Sequence, residues 1–373
     1  MTATVRWGVL GTGTIAAKLA ADMAHAPSAR LAAVASRDPA RAAVFAARFG
    51  GARVHETYEA LVADPEVDAV YVATPNALHR DHALLAIGAG KPVLVEKPFA
   101  LDAAEAREIA EAARSAGVFC MEAMWTRFLP VIAEAKRIVD AGGIGRPTLV
   151  RAALGFPAPT DPASRFNDPA LGGGALLDLG IYGVSMAHLF LGAPLAISAH
   201  VIEGLSGIDR QIAALLTYAD AAAEVTASHD APLTNGLEIV GASGRVAVDP
   251  PFQQAARARV MTFAAPPAAA TPKPDGLAKM ALKRTGLWPF ARAATRRLLG
   301  YDGRTIRGGF PGEGLQFELE EVARRIAAGE IESPVAPLSD TVAVMETMDR
   351  IRAAAVQTAH GIGAIGAKVE ETS

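Results

Sequence analysis

The feature that most constrains this chain lies within its first sixteen residues, where a short apolar run, Val5–Leu10, passes without a linker into Gly11-Thr12-Gly13-Thr14-Ile15-Ala16. Ile15, Leu19 and Met23 then recur at a spacing of four, which predicts a helix. A buried strand, a glycine turn and a helix in immediate succession make a cradle for a pyrophosphate. Glycine lets the backbone approach the phosphates, and the helix start supplies free N–H donors and a partial positive charge. Ala16 at the third position is a permitted variant of this fingerprint. Tight strand-to-helix turns also use glycine for steric reasons alone. The position at the head of an α/β pattern is what favours dinucleotide binding, with Gly11, Gly13, Thr14 and Ile15 as its residues.

That pattern continues to about residue 125. Apolar runs at 31–35, 69–73, 93–95 and 118–121 read as buried strands, separated by helical stretches. Asp38-Pro39 opens one helix, with Asp38 as N-cap, and it stops at Gly50-Gly51. Asp102 and Glu105 form a capping box for another over 103–115. Buried strands alternating with helices predict a doubly wound parallel sheet, a Rossmann domain over 1–125. Residues 126–373 read differently. After a helix over 131–141, strand-like runs follow one another at 148–154, 197–202, 211–218, 223–228, 237–240 and 257–263, interrupted by one helix at 173–191. This predicts an α+β domain with a mostly antiparallel open sheet, closed by helices over 315–328 and 339–355 that pack back on the first domain.

Composition narrows the function. With 51% hydrophobic and 20% charged residues the chain is neither disordered nor collagen-like. A net charge of −3 gives no global field for nucleic acid. No stretch approaches the roughly 20 uninterrupted apolar residues of a membrane span. The lone Cys120 cannot form an internal bridge, and no basic leader with an apolar core opens the chain, so a cytoplasmic protein is expected. No metal ligand set is expected.

The end of the second strand bears on cofactor choice. An NAD-specific fold places an acidic residue there to grip the ribose hydroxyls. This chain has Ala35-Ser36-Arg37, with Arg41 one turn into the next helix. A guanidinium pairs with a 2′-phosphate and stacks on adenine, so Ser36, Arg37 and Arg41 point to NADP, with NAD the alternative. The competing account of both arginines is a solvated helix start.

From Val93-Leu94-Val95-Glu96-Lys97-Pro98 onward the sequence resembles a known family, that of glucose–fructose oxidoreductase and inositol dehydrogenase (Gfo/Idh/MocA). Thr74-Pro75-Asn76 with His79, the stretch Glu122 to Phe128, the run Gly172-Gly173-Gly174-Ala175-Leu176-Leu177-Asp178-Leu179-Gly180-Ile181-Tyr182, Gly312 to Glu318, and Met345 to Asp349 fit the same family in order. Together they look most like its branch of dimeric dihydrodiol dehydrogenases and NADP-linked D-xylose dehydrogenases. The resemblance implies hydride transfer between a nicotinamide cofactor and a secondary alcohol or ketone of a sugar or cyclic diol. It places Lys97 beside the reacting oxygen and Glu96, Thr74, Asn76 and His79 around the cofactor. Trp125, Arg127 and Phe128 border nicotinamide and substrate on the same reading, with packing of the domain junction as the alternative for Trp125 and Phe128. Arg165, Phe166 and Asn167 are further candidates for substrate contact. A homodimer or higher homo-oligomer through the open face of the second sheet is also implied.

Asp178 and Tyr182 are four apart and share a helix face. Many relatives carry histidine at the second position, so the tyrosine weakens any transfer of the inositol dehydrogenase mechanism. A lysine about 4 Å from the phenol oxygen, at an effective dielectric near 20, contributes on the order of 4 kcal/mol. That is roughly three pKa units, enough to bring the phenolate within reach of neutral pH. Tyr182 is therefore expected to exchange the proton with Lys97 lowering its pKa and Asp178 orienting Lys97 or a substrate hydroxyl. The reversed assignment, Lys97 as acid and base, stays open. Two other readings also stay open: an NADPH-driven ketosugar reductase, and a non-catalytic nucleotide sensor.

Residues 264–304 stand apart, with eight cations, Lys273 to Arg304, against Asp275 and Asp302. They read as a basic insertion, forming a lid or oligomer contact, with peripheral contact to an anionic membrane surface as the alternative.

Overall fold

The computed structural model describes residues 4–161, 163–204, 207–263, 280–281, 283–291 and 303–370, with no side chain described beyond 355. Six strands, β1 (Val5–Leu10), β2 (Ala29–Ala35), β3 (Arg53–His55), β4 (Ala69–Val72), β5 (Val93–Glu96) and β6 (Cys120–Ala123), form one sheet in the order β3-β2-β1-β4-β5-β6. Every pairing is parallel. Helices α1 (Thr14–Asp22), α2 (Pro39–Arg48), α3 (Tyr58–Val62), α4 (His79–Gly88) and α5 (Ala103–Ala116) connect them. Trp7, Val9, Leu10, Val70, Tyr71, Val72, Leu94 and Val95 are wholly buried, as strands covered on both faces must be.

Strand order reverses between β1 and β4, and ligands of such sheets bind in the crevice at that switch point. The sequence explains why the crevice can open there. Gly11 has φ +101°, and a Cβ on it would stand 2.6 Å from the Ala73 carbonyl oxygen, so only glycine lets the two loops run side by side.

The second sheet has eight strands: β7 (Pro147–Gly155), β8 (Ala196–Glu203), β9 (Asp209–Thr217), β10 (Ala222–Ser228), β11 (Leu237–Gly241), β12 (Gly244–Val248), β13 (Arg257–Thr262) and β14 (Arg304–Arg307). Their order is β14-β13-β12-β11-β7-β10-β9-β8, antiparallel except for the β7–β10 pair. Along β9 the buried Ile212, Ala214 and Leu216 alternate with the exposed Ala213, Leu215 and Thr217. One face of this sheet is therefore packed and the other open.

Helix α6 (Pro130–Asp140) lies between the two sheets in sequence, and helix α7 (Ile181–Leu191) lies between β7 and β8. The helix expected over 173–191 differs in its first part. Leu176–Gly180 is π-helical, a wider winding that often marks functional sites. The segment Pro169–Leu191 is long and apolar enough to cross a membrane, with mean hydropathy 1.4, but 83% of that window is buried inside the fold. Its apolarity is that of a core helix.

Helices α8 (Gln316–Ala327) and α9 (Leu338–Glu370) return to the first sheet. Asp22, at the end of α1, is 2% exposed and accepts the backbone N–H groups of Glu313, Gly314 and Leu315 at 2.9–3.0 Å, capping the approach to α8. The Ala103 N–H donates to Asp349 at 2.9 Å, and Arg107 pairs with Glu346 at 2.8 Å, holding α9 against α5. Most of the basic insertion, including Lys273, Lys279, Arg292, Arg296 and Arg297, lies outside the described residues, and with it the lid, oligomer and membrane-surface expectations.

Candidate active site

Lys97 follows the last residue of β5, at the carboxyl end of the parallel sheet, and its peptide bond to Pro98 is cis. Its Nζ donates to the Asp178 backbone oxygen at 2.8 Å and to Asp178 Oδ1 at 3.3 Å, and stands 4.7 Å from the centroid of the Tyr182 ring. The π-helical winding of Leu176–Gly180 carries Asp178, and the first turn of α7 carries Tyr182. Burial works against the Lys97 charge, but Tyr182, Asp178 and Glu96 outweigh it and hold the amine above its ordinary range. Burial likewise opposes the Asp178 carboxylate, yet the Lys97 ammonium and a hydrogen bond from His229 depress it below the usual carboxylate range. The ion pair is therefore charged at neutral pH.

Tyr182 departs from the sequence-based expectation. Burial pushes its phenol above the ordinary value, and the nearby ammonium offsets this only in part. The ammonium lies over the ring face, where it interacts with the π-cloud. The Tyr182 oxygen instead accepts the Trp125 Nε1–H at 2.8 Å. The phenol therefore keeps its proton at neutral pH.

These residues open into a cleft of about 200 Å³ lined by Ile15, Lys18, Lys97, Trp125, Leu154, Phe156, Leu179, Tyr182, Gln253, Gln254 and Leu315. The cleft thus joins the start of α1 to the ion pair. Gly13 precedes α1 without a side-chain cap, and a Cβ placed on it would meet nothing within 4 Å. Helix-start N–H groups with no side-chain cap, beside a Gly11 that must be glycine, fit a pyrophosphate. Thr14 and Ile15 begin this helix.

Around the adenosine end, Ser36 reaches the glycine loop through the Thr12 hydroxyl at 3.4 Å. Asp38 accepts the N–H groups of Ala40 and Arg41 at 3.0 and 3.3 Å, so it caps α2 rather than presenting its carboxylate to a ribose. Arg37 and Arg41 are exposed at the start of α2. Thr74 pairs with His82 at 2.9 Å, and the Asn76 amide donates to the Gly172 carbonyl at 2.8 Å.

Four expected contact residues have their polar atoms taken up by the protein itself. His79 is 1% exposed with its ring nitrogens against the Pro98 and Thr74 carbonyls at 2.7 and 2.9 Å, and burial brings its pKa down to about 4. Its ring ties the end of β4 to the turn that carries Lys97. Arg127 is 4% exposed, bonded to Ser185 Oγ at 2.8 Å, to the Ser185 carbonyl and to Asp340. It fixes the 3-10 turn Trp125–Phe128 that presents Trp125 to Tyr182, with Phe128 half-buried at its end. Asn167 is buried and ties its loop together through the Pro159 and Asp161 carbonyls, both at 2.8 Å. Glu96 is buried too, accepts the Tyr71 hydroxyl, and is pushed up to about 7, chiefly by desolvation. Arg165 remains exposed, its guanidinium 4.1 Å over the Phe166 ring.

Sequence reasoning missed Lys18, Gln253, Gln254 and Glu313. Lys18 and Gln254 both donate to Glu313, at 3.0 and 2.6 Å, making a polar rim on the cleft. It also missed His229, whose Nε2 lies 3.1 Å from Asp178 Oδ2. No local pattern signals these contacts.

Residues 5–124 match the model of the oxidoreductase family with an NAD-binding Rossmann fold, and residues 132–247 match the Gfo/Idh/MocA C-terminal domain. The chain is 32% identical over 349 residues to D-xylose 1-dehydrogenase (NADP(+)) 2 of Haloferax volcanii, covering 92% of this chain and 95% of the relative. It is 38% identical over 245 residues to trans-1,2-dihydrobenzene-1,2-diol dehydrogenase of Mus musculus, covering 64% of this chain and 73% of the relative. Among solved structures, an NAD binding oxidoreductase from Klebsiella pneumoniae superposes with TM-score 0.76 at 27% identity, covering 95% and 97% of the two chains. A 3-ketoreductase from Actinomadura kijaniata, solved with NADP, superposes at 0.74 and 27% identity, covering 94% and 98%. This chain belongs to the Gfo/Idh/MocA family of oxidoreductases.

Proposed function

We propose that this protein is an NADP-linked oxidoreductase that interconverts a secondary alcohol and its ketone on a sugar or cyclic diol. The observation that carries the reading is the Lys97–Asp178 ion pair packed against Tyr182 at the crevice below the glycine loop. The bound nicotinamide supplies the hydride acceptor or donor. The N–H groups at the start of α1, with Gly11 and Gly13, hold its pyrophosphate, and Arg37 and Arg41 meet a 2′-phosphate. Similarity to an enzyme named for its NADP dependence supports that choice over NAD.

On the chain's side, Lys97 polarises the substrate oxygen and Tyr182 exchanges the proton on it. Both groups rest in their protonated forms. They are set to donate to an oxygen that gains charge as a ketone is reduced. Oxidation requires Tyr182 to lose its proton first, so its rate rises with pH above neutrality while reduction slows. This charge state favours carbonyl reduction at neutral pH as the second reading of the same site. Turnover is tested by absorbance at the reduced-nicotinamide band, with sugars and cyclic diols offered alongside NADP or NAD. Absence of turnover across the panel in both directions, or a higher kcat/KM with NAD, overturns the corresponding part of the proposal.

A further inference from the structure

Three buried histidines differ in a way the mechanism above does not use. His79 has both ring nitrogens against carbonyl oxygens, and His188 has Nε2 on Thr347 at 2.9 Å and Nδ1 by Asp340 at 3.6 Å. Those two are held as structural histidines are. His229 is as deeply buried, 1% exposed, but it reaches one polar group, Asp178, while Nδ1 finds no partner among the described residues. Leaving a buried polar atom unpaired is destabilising. A ring that only filled space would be better apolar.

The backbone around His229 is fixed on three sides. Its N–H donates to the Arg210 carbonyl at 2.8 Å, and its own carbonyl accepts from Ala158 N at 2.9 Å and Arg210 Nη2 at 3.0 Å. Phe166 meets the ring edge-on, with centroids 5.5 Å apart. The parallel β7–β10 pair brings this about, because His229 follows the end of the strand adjacent to the one that leads into Phe156, which lines the cleft. An ionised Asp178 only accepts, so Nε2 carries the proton and His229 donates.

We propose that His229 is the positioning residue for Lys97. Its Nε2–H fixes the rotation of the Asp178 carboxylate by holding Oδ2, which leaves Oδ1 aimed at the ammonium and keeps that ammonium over Tyr182. Without it the carboxylate rotates freely and Lys97 loses one of its two anchors. The inference rests on the reading of Lys97 as the group beside the reacting oxygen, and it adds the residue that sets its geometry.

The experiment compares His229→Phe, which keeps a ring but no donor, with His229→Gln, whose amide N–H can reach the place of Nε2. Three quantities are measured: kcat, the affinity for NADPH, and the rate at which acetic anhydride modifies Lys97 in the cofactor-free protein, read by mass spectrometry. His229→Phe is expected to lower kcat about 10- to 100-fold, as a misplacement near 1 Å does. NADPH affinity stays unchanged and Lys97 modification accelerates severalfold, while His229→Gln recovers most of both losses. His229→Leu carries the same comparison if the phenyl ring does not fit beside Phe166. Wild-type kcat and Lys97 reactivity in the donorless variant overturn the proposal, as does a glutamine variant no better than the donorless one. If the wild type turns over no substrate, the proposed function fails by itself, and the modification rates still decide the role of His229.

Discussion

The two sheets meet at one crevice but serve it differently. The parallel sheet contributes the ends of strands: Gly11 after β1, Thr74 after β4 and Lys97 after β5 all lie within a few residues of a buried apolar run. The mixed sheet contributes by distance. His229 from the end of β10 and Gln253 and Gln254 after β12 reach the site only because the β7–β10 pairing and the turn at 252–254 deliver them. The carboxylates show the same division. Glu96 on the parallel side faces inward, buried against Tyr71 and pushed up to about 7. Asp178, on the element that packs under the mixed sheet, is ion-paired and depressed. Local sequence therefore builds the glycine loop and its helix start, and long-range topology sets the charge around Lys97.

The most damaging way to break this arrangement is to remove the group where both sides join. Lys97→Met is expected to lower kcat by about 10³-fold or more, since it deletes both an electrostatic partner of the substrate oxygen and the counter-ion of Asp178. NADPH affinity, measured by quenching of tryptophan fluorescence, should change little. Near-wild-type kcat in this variant ends the enzymatic reading of the ion pair.

Tyr182→Phe probes the mixed-sheet side alone and is expected to cost about 10²-fold in kcat. The pH profile carries more information than the rate. The wild-type oxidation rate should rise through the alkaline range, because the phenol is held above its ordinary pKa and must lose its proton. That limb should vanish in the phenylalanine variant. A variant that keeps both its rate and the limb transfers the proton role to Lys97.

Arg37→Ala and Arg41→Ala test the parallel-sheet side at the far end of the cradle. Each charge-assisted contact to a 2′-phosphate is worth about 1.5–3 kcal/mol. Each variant should therefore lose roughly 10- to 100-fold in kcat/KM for NADP and change little with NAD. Equal losses with both cofactors mean that the arginines serve the helix start and not the phosphate.

The same division explains how far the sequence could be read. The strand–glycine–helix start, the N-caps at Asp38 and Asp102, and most strands of both sheets follow from local patterns that the structure reproduces. What escaped was short or followed long connections: β3 has three residues, α3 has five, and β14 lies beyond the basic insertion. At the site, Lys97, Asp178 and Tyr182 converge as expected, because one ends a buried strand and the others share a helical face. His229 carried no such mark, since a histidine one residue past a strand resembles any turn residue until its neighbour is known. His79 and Arg127 show the opposite case. They sit in recognisable motifs, but the turns that make those motifs recognisable consume their polar atoms.

Glu318 yields the smallest expected effect and the sharpest sign. It lies on α8, is wholly buried, and neither carboxyl oxygen has a hydrogen-bond partner among the described residues. Burial, with Glu96, Asp22 and Glu122 nearby, holds its pKa well above the ordinary value. The folded protein thus keeps a proton that the unfolded chain releases above about pH 4.5. Its contribution to folding stability falls as pH rises through that range, and Glu96 and Glu122, each pushed up to about 7, add to the slope, while His79, brought down to about 4, opposes it up to about pH 6.5. Asp178 and Asp340 are depressed and act in the opposite sense, only below about pH 4. A glutamine cannot ionise, so Glu318→Gln removes one share of the alkaline loss. It also buries an amide without partners, at a cost that does not vary with pH. The discriminating quantity is consequently the slope. The difference in Tm between variant and wild type should grow in the variant's favour by about 2–4 °C from pH 5 to 8. A difference that stays flat across that range means Glu318 is already ionised in the folded protein, although it packs against the same parallel half that pushes Glu96 up to about 7.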